Sequence, residues 1–202
     1  MLARNERPIL IVNLLYISIF TAMALRHRNY EFVLYAGVVI AIVICILAMQ
    51  SRIRFGLPIL WGLTVWGILH MAGGNLRVGS GVLYGVLLIP LVPSYEILRY
   101  DQVVHFFGFG VATLVCHHLL RPHLRTDVGR SGVLAGLVVL MGVGVGALNE
   151  ILEFVAVIIV PETGVGGYTN TLLDLVFNLA GAIGAVLWLV WSGRLRGCRQ
   201  TG

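Results

Sequence analysis

The residues of this chain best placed to do chemistry are histidines and carboxylates embedded in apolar sequence. His70, His105, Glu150, Glu153 and Asp174 lie inside long apolar runs, Asp101 lies at the mouth of one, and Asn178 adds a neutral polar group. Ionisable side chains are costly in hydrocarbon, so each needs a partner and a reason. Asp101 and His105 are four residues apart, Glu150 and Glu153 three, and Asp174 and Asn178 four. On a helix each pair shares one face. Imidazole and carboxylate together form a donor set for a divalent metal such as zinc or iron, and a bound metal could activate water for hydrolysis. The candidate metal ligands are His70, Asp101, His105, Glu150 and Asp174; the candidate catalytic carboxylates are Glu150, Glu153 and Asp174; Asn149 and Asn178 are candidate substrate-binding amides. The same groups suit a proton- or cation-coupled transporter, or a non-catalytic hydrogen-bond network that locks helices together. A common site requires the side chains of His105, Glu150 and Asp174 to meet within about 5 Å, the range over which one metal binds them all.

The elements that must position these residues are membrane spans. Of 202 residues, 58% are hydrophobic and 11% charged, and the mean hydropathy is +0.93. Soluble domains carry charge on about a quarter of their residues, so lipid must cover much of this surface. Apolar runs predict spans over 8–25, 30–49, 57–73, 102–120, 133–160 and 171–191. Each reaches or approaches the roughly 20 residues that cross a bilayer as a helix. The expected fold is an all-α membrane protein, a single domain over 1–202 built as a compact bundle of about six transmembrane helices. The run from Val82 to Val92 is about half a span long and meets Pro90 and Pro93, so residues 82–93 are expected to be interfacial or re-entrant. Arg4, Arg7 and Ala22-Met23-Ala24 give the first run a signal-peptide look, but its apolar stretch is long for one.

All 14 basic residues are arginine and the formal net charge is +5. They flank apolar runs, which marks them as topology signals rather than a nucleic-acid surface. With six spans, ten arginines fall on the side of the termini and four (Arg26, Arg28, Arg77 and Arg99) on the other, which predicts cytoplasmic N- and C-termini. Counted inward from the outer span ends at about 1.5 Å per residue, His70 lies about 5 Å deep, His105 and Asp174 about 6 Å, Glu153 and Asn178 about 12 Å and Glu150 about 16 Å. The polar groups are therefore expected in one half of the membrane, in a chamber that opens outward. At the opposite rim, His117, His118 and His123 beside Arg121 and Arg125 read as a solvated surface for anionic headgroups. Gly142 and Gly146 before Glu150, and Gly181 and Gly184 after Asn178, suit close helix packing. His27 reads as a loop residue and Glu96 with Arg99 as a surface pair. Cys45, Cys116 and Cys198 are too scattered for a disulfide framework.

The run Tyr100-Asp101-Gln102-Val103-Val104-His105-Phe106 resembles a motif of the bacterial YjdF-like inner-membrane proteins and, more distantly, of the VanZ-like family. His70-Met71-Ala72-Gly73, Asn149-Glu150-Ile151-Leu152-Glu153-Phe154 and the stretch from Asn170 through Asp174 and Asn178 to Gly181 resemble further motifs in the same order. Phe154 departs from a tryptophan and Asn170 from an aspartate that are common there. The resemblance implies a multi-pass protein of the bacterial cytoplasmic membrane, with lipid as its surroundings. Its VanZ-like branch implies a link to the cell envelope, hence to chemistry on an envelope lipid or a lipid-linked cell-wall precursor.

Overall fold

The structure, a computed structural model, describes residues 3–92, 95–124 and 132–195. Pro93, Arg125, Arg130, Arg196, Cys198 and Arg199, which figure in the sequence expectations, lie outside the described residues. Six helices are long and apolar enough to cross a membrane. They are α1 (Arg7–Arg26), α2 (Tyr30–Ile53), α3 (Leu57–Asn75), α4 (Tyr100–Leu120), α5 (Gly132–Ile159) and α6 (Tyr168–Trp191). Local chemistry sets several boundaries. Proline stands in the first turn of α1 and α3, where its missing N–H costs nothing. The Asn29 side chain caps α2 by accepting from Phe32 N–H, and its amide donates to Gly74 O at 3.0 Å, which ties the α1–α2 turn to the end of α3. Arg54 ends α2 in the left-handed conformation at φ 53°, while Gln50 exchanges hydrogen bonds with both backbone groups of Phe55.

The described segment between α3 and α4 contains no helix long enough to cross a membrane. Strands β1 (Arg77–Val78) and β2 (Gly81–Val82) form a two-residue hairpin whose Gly79 takes φ 59°, and a 3-10 turn over Leu83–Gly85 follows. The chain then zips back onto the start of α4: Leu88 N–H donates to Leu98 O, and Tyr100 N–H to Val86 O. Over the described residues of 82–92 the chain is thus a folded-back loop rather than an α-helix. Beneath it, buried Gln102 accepts from Leu98 N–H at 2.6 Å and from Arg99 N–H at 3.1 Å, which satisfies the entry to α4.

α4 is the central helix, packed most extensively on α6 and also on α3 and α5. Two clusters of mainly hydrophobic side chains fill much of the remaining core, one around Tyr16, Phe32, Val39 and Met71, the other around Leu134, Val138, Val186 and Leu189. Large apolar side chains such as Leu140, Ile158 and Leu187 point outward, as lipid contact requires. Glycine permits the tightest crossing: a Cβ on Gly181 would overlap Phe106 O of α4, and one on Gly110 would lie 3.3 Å from Gly181 O. At Gly184 a Cβ would meet only the Phe106 ring, at 3.7 Å. Of the two glycines singled out in α6, only Gly181 therefore sets the crossing. Gly181→Ala is expected to cost about 1–3 kcal/mol as overpacking, and Gly184→Ala far less, as read by thermal unfolding in detergent.

Candidate functional site

At one end of the bundle the polar residues of α4, α5 and α6 meet around His105. α4 begins at Tyr100 and α6 at Tyr168, two and three residues ahead of the hydropathy-based starts, and α5 ends at Ile159. Recounted from those ends, His105, Glu153 and Asp174 all lie about 8–9 Å deep, with Glu150 and Asn178 about 14–15 Å deep. The apparent spread of depths thus resolves into two layers, and the two nitrogens of His105 address one each. Nδ1 faces the lower layer, 3.0 Å from Asn178 Oδ1 and 3.6 Å from Glu150 Oε1. Nε2 faces the upper layer, 3.5 Å from Asp101 Oδ1 and 3.8 Å from Glu153 Oε1. Asn178 Oδ1 accepts, so Nδ1 carries the proton and Nε2 keeps its lone pair for an electrophile.

Amides orient the carboxylates. Asn149 Nδ2 donates to Glu153 Oε1 at 2.7 Å. Asn170 Nδ2 donates to Asp174 Oδ2 at 2.6 Å and reaches Asp101 Oδ2 at 3.5 Å, bridging α6 to α4. Gly146 makes room for Asn178, since a Cβ there would lie 2.8 Å from Asn178 Nδ2. Even so, Asp174 Oδ1, both Glu150 carboxylate oxygens and Asn178 Nδ2 are buried with no hydrogen-bond partner. Asp174 and Asn178 are 0% exposed. Orphaned polar groups of this kind cost about 1–3 kcal/mol each, more when charged, unless something arrives to satisfy them.

Two groups of side chains could each hold a metal ion: Asp101, His105 and Asp174, and His105, Glu150 and Glu153, with ligand atoms inside 4.8 Å of one another. His105 is shared. It therefore meets Glu150 and Asp174 on two sides rather than in one three-residue set. Four carboxylates approach a single imidazole, and no arginine ion pair reaches the cluster among the described residues. In a low-dielectric interior that much acidity demands protons or a cation.

His70 stands apart from both groups. Its Nδ1 lies 2.5 Å from Tyr84 Oη and its ring stacks on Trp66 at 5.3 Å, with Phe32 and Tyr35 close by. Tyr84 sits in the turn after β2, where nothing in the spacing links it to His70. Glu31 was also hidden at the start of α2; buried, it accepts from Gly164 N–H at 2.6 Å and pins the α5–α6 loop. Glu96 and Arg99 form the exposed pair expected of them.

An apolar cleft of about 360 Å³ leads away from the cluster between α2, α3, α4 and α5. Glu153, Asn149 and His70 line it, as do Ile46 and Leu119 far toward the other end. Along α4 it runs from Gly108 to Leu119, about 16 Å at the helical rise, close to half of a hydrocarbon core of about 30 Å. α2 and α5 share no extensive interface across it.

A family profile described as "Predicted membrane protein (DUF2238)" matches residues 8–194. No curated protein and no solved structure matches the chain. Because His70 belongs to neither metal-capable group, Tyr84→Phe, which leaves His70 Nδ1 without its partner, is expected to lower thermal stability by about 1–3 kcal/mol while zinc uptake by the purified protein stays unchanged.

Proposed function

The chain belongs to the DUF2238 family of predicted membrane proteins, and from that premise we propose that it carries a divalent-cation centre acting on an amphiphilic substrate drawn from the bilayer, an envelope lipid or a lipid-linked cell-wall precursor. The observation that carries this reading is the convergence of two metal-capable groups on His105, with carboxylate oxygens left unsatisfied between them. A cation bound there would supply Lewis acidity and an activated water. The protein's own groups do the rest. Asn178 fixes the His105 tautomer, in the way that partners behind a ligating histidine commonly do. Asn170 aligns Asp174 toward Asp101. Glu153 stands at the border of cluster and cleft, oriented by Asn149, where it is placed to take up and return a proton at the substrate's polar head. The apolar cleft suits one hydrocarbon chain of that substrate.

The likeness of the motifs to YjdF-like and VanZ-like proteins supports a setting in the bacterial cytoplasmic membrane, and the arginine split supports cytoplasmic termini with the centre toward the outer face. Transport is less well supported. Below Asn178 the described core of α3 to α6 contains no carboxylate, arginine or histidine until His117, so no chain of charged groups joins the two ends.

Protein stripped with chelator and titrated with zinc is expected to bind it with affinity that falls as the pH is lowered, because carboxylate and imidazole ligands must shed protons. His105→Ala, which removes the donor common to both groups, is expected to cut affinity more than 100-fold, and Asp174→Asn about 10–100-fold. Asn170→Asp adds a third carboxylate beside Asp101 and Asp174 and is expected to tighten binding about tenfold while destabilising the cation-free protein. Equal zinc affinity in wild type and His105→Ala would sink the proposal, leaving the cluster as a network that only locks the bundle.

A further inference from the structure

At the end of the bundle opposite the acidic cluster lies a cavity of about 450 Å³ of contrary character. Arg54, Arg121 and Arg194 line it together with His117 and His118, and no carboxylate among the described residues does. The arginines come from three separate places in the chain: the left-handed residue ending α2, the residue following α4, and the tail just after α6. None of the three makes an ion pair among the described residues. Arg194 is held by its guanidinium lying 4.8 Å over the Trp188 ring, which also lines the cavity. His118 is engaged: its Nε2 lies 3.2 Å from Ile53 O and its ring packs on Phe55. His117 is not. It is 5% exposed, it lines the cavity, and its Nε2 has no hydrogen-bond partner.

We propose that this cavity is a binding site for the phosphate of an anionic lipid headgroup. Three guanidiniums supply planar forks that match phosphate oxygens, and His117 Nε2 supplies a buried contact at the floor that a tetrahedral oxyanion would satisfy. Ile59, Leu114 and Leu189 complete the lining, so the lining presents apolar surface as well as charge. That combination selects a phosphate carried on a lipid over phosphate free in water. The position fits as well, since helix ends on the arginine-rich side of a membrane bundle are where basic pockets meet headgroups. The site is independent of the acidic centre and needs no cation there.

The test uses the full-length protein in an uncharged detergent, titrated at fixed ionic strength with dihexanoyl phosphatidic acid, dihexanoyl phosphatidylcholine and inorganic phosphate, with binding read by calorimetry. Wild type is expected to bind the phosphatidic acid at least tenfold more tightly than either of the others. The double variant R121Q/R194Q is expected to lose at least tenfold in that affinity, and H117F to lose a comparable amount. R52Q, which removes an exposed arginine at the same end but outside the cavity, is expected to bind as wild type. Unchanged melting temperatures without ligand identify variants that remain folded, and R54Q provides a third arginine variant should either of the others unfold. Equal binding of phosphatidic acid by wild type and the folded variants overturns the proposal. So does an equal affinity for phosphatidylcholine, which would mean hydrophobic partitioning, or for inorganic phosphate, which would mean a site for the free ion.

Discussion

His105 is the point on which the polar half of this bundle depends. One imidazole, buried in α4, has its two nitrogens divided between two layers of carboxylate and amide groups brought in by α5 and α6. A neutral imidazole donates at one nitrogen and accepts at the other, so the two layers cannot be equivalent. Asn178 takes the donor side, and the acceptor side looks toward Asp101 and Glu153. The helix packing follows from the same need. Gly146 is bare so that Asn178 fits beneath His105, and Gly181 is bare so that α6 can press on α4 one turn below Asn178. Space and polarity are settled at the same few positions.

The bundle is also polar in the long direction. The buried carboxylates gather around His105 at one end, three arginines with His117 and His118 line a cavity at the other, and between Asn178 and His117 the described interior of the central helices holds no charged side chain. A charge in the middle would be expensive, whereas charge near either end shares the cost with headgroups and water. This separation keeps the two proposed sites electrostatically apart. It also argues against a path that would carry an ion from one face to the other.

Much of this was legible in the sequence because hydropathy reads spans directly: in lipid, only helices satisfy their own backbone. The same hydropathy located helix starts less well, since α4 and α6 begin among polar residues that a transfer scale counts as loop. That is why Asn170 looked like the end of a loop, when it stands in the first turn of α6 four residues before Asp174, on the same face. Glu31 lies inside the span predicted from Tyr30, and its role depends on Gly164 of the α5–α6 loop, a partner that no spacing links to it. For His70, depth and motif resemblance point to the cluster, but neither says which way its ring faces. Its partner Tyr84 lies across a hairpin, and only tertiary structure brings the two together. Pair spacing within a helix was a dependable guide; which pairs would face one another was not written in any local pattern.

The position of the cleft is the last element that bears on what the acidic cluster does. A site that served only to lock helices would gain from being sealed, since every water or lipid atom admitted competes with its hydrogen bonds. Here the cluster is left open to a long apolar cleft, and the residues at the junction, Asn149 and Glu153, belong to both. Glu153 keeps 17% of its side chain exposed while Asp174, deeper in the cluster, keeps none. The acids grade from partly exposed Asp101 and Glu153 to sealed Asp174, so the groups that a molecule in the cleft or at the bundle end could reach differ from those held dry. An apolar cleft about one leaflet long, joined to such a gradient, is the arrangement on which the proposed lipid substrate rests.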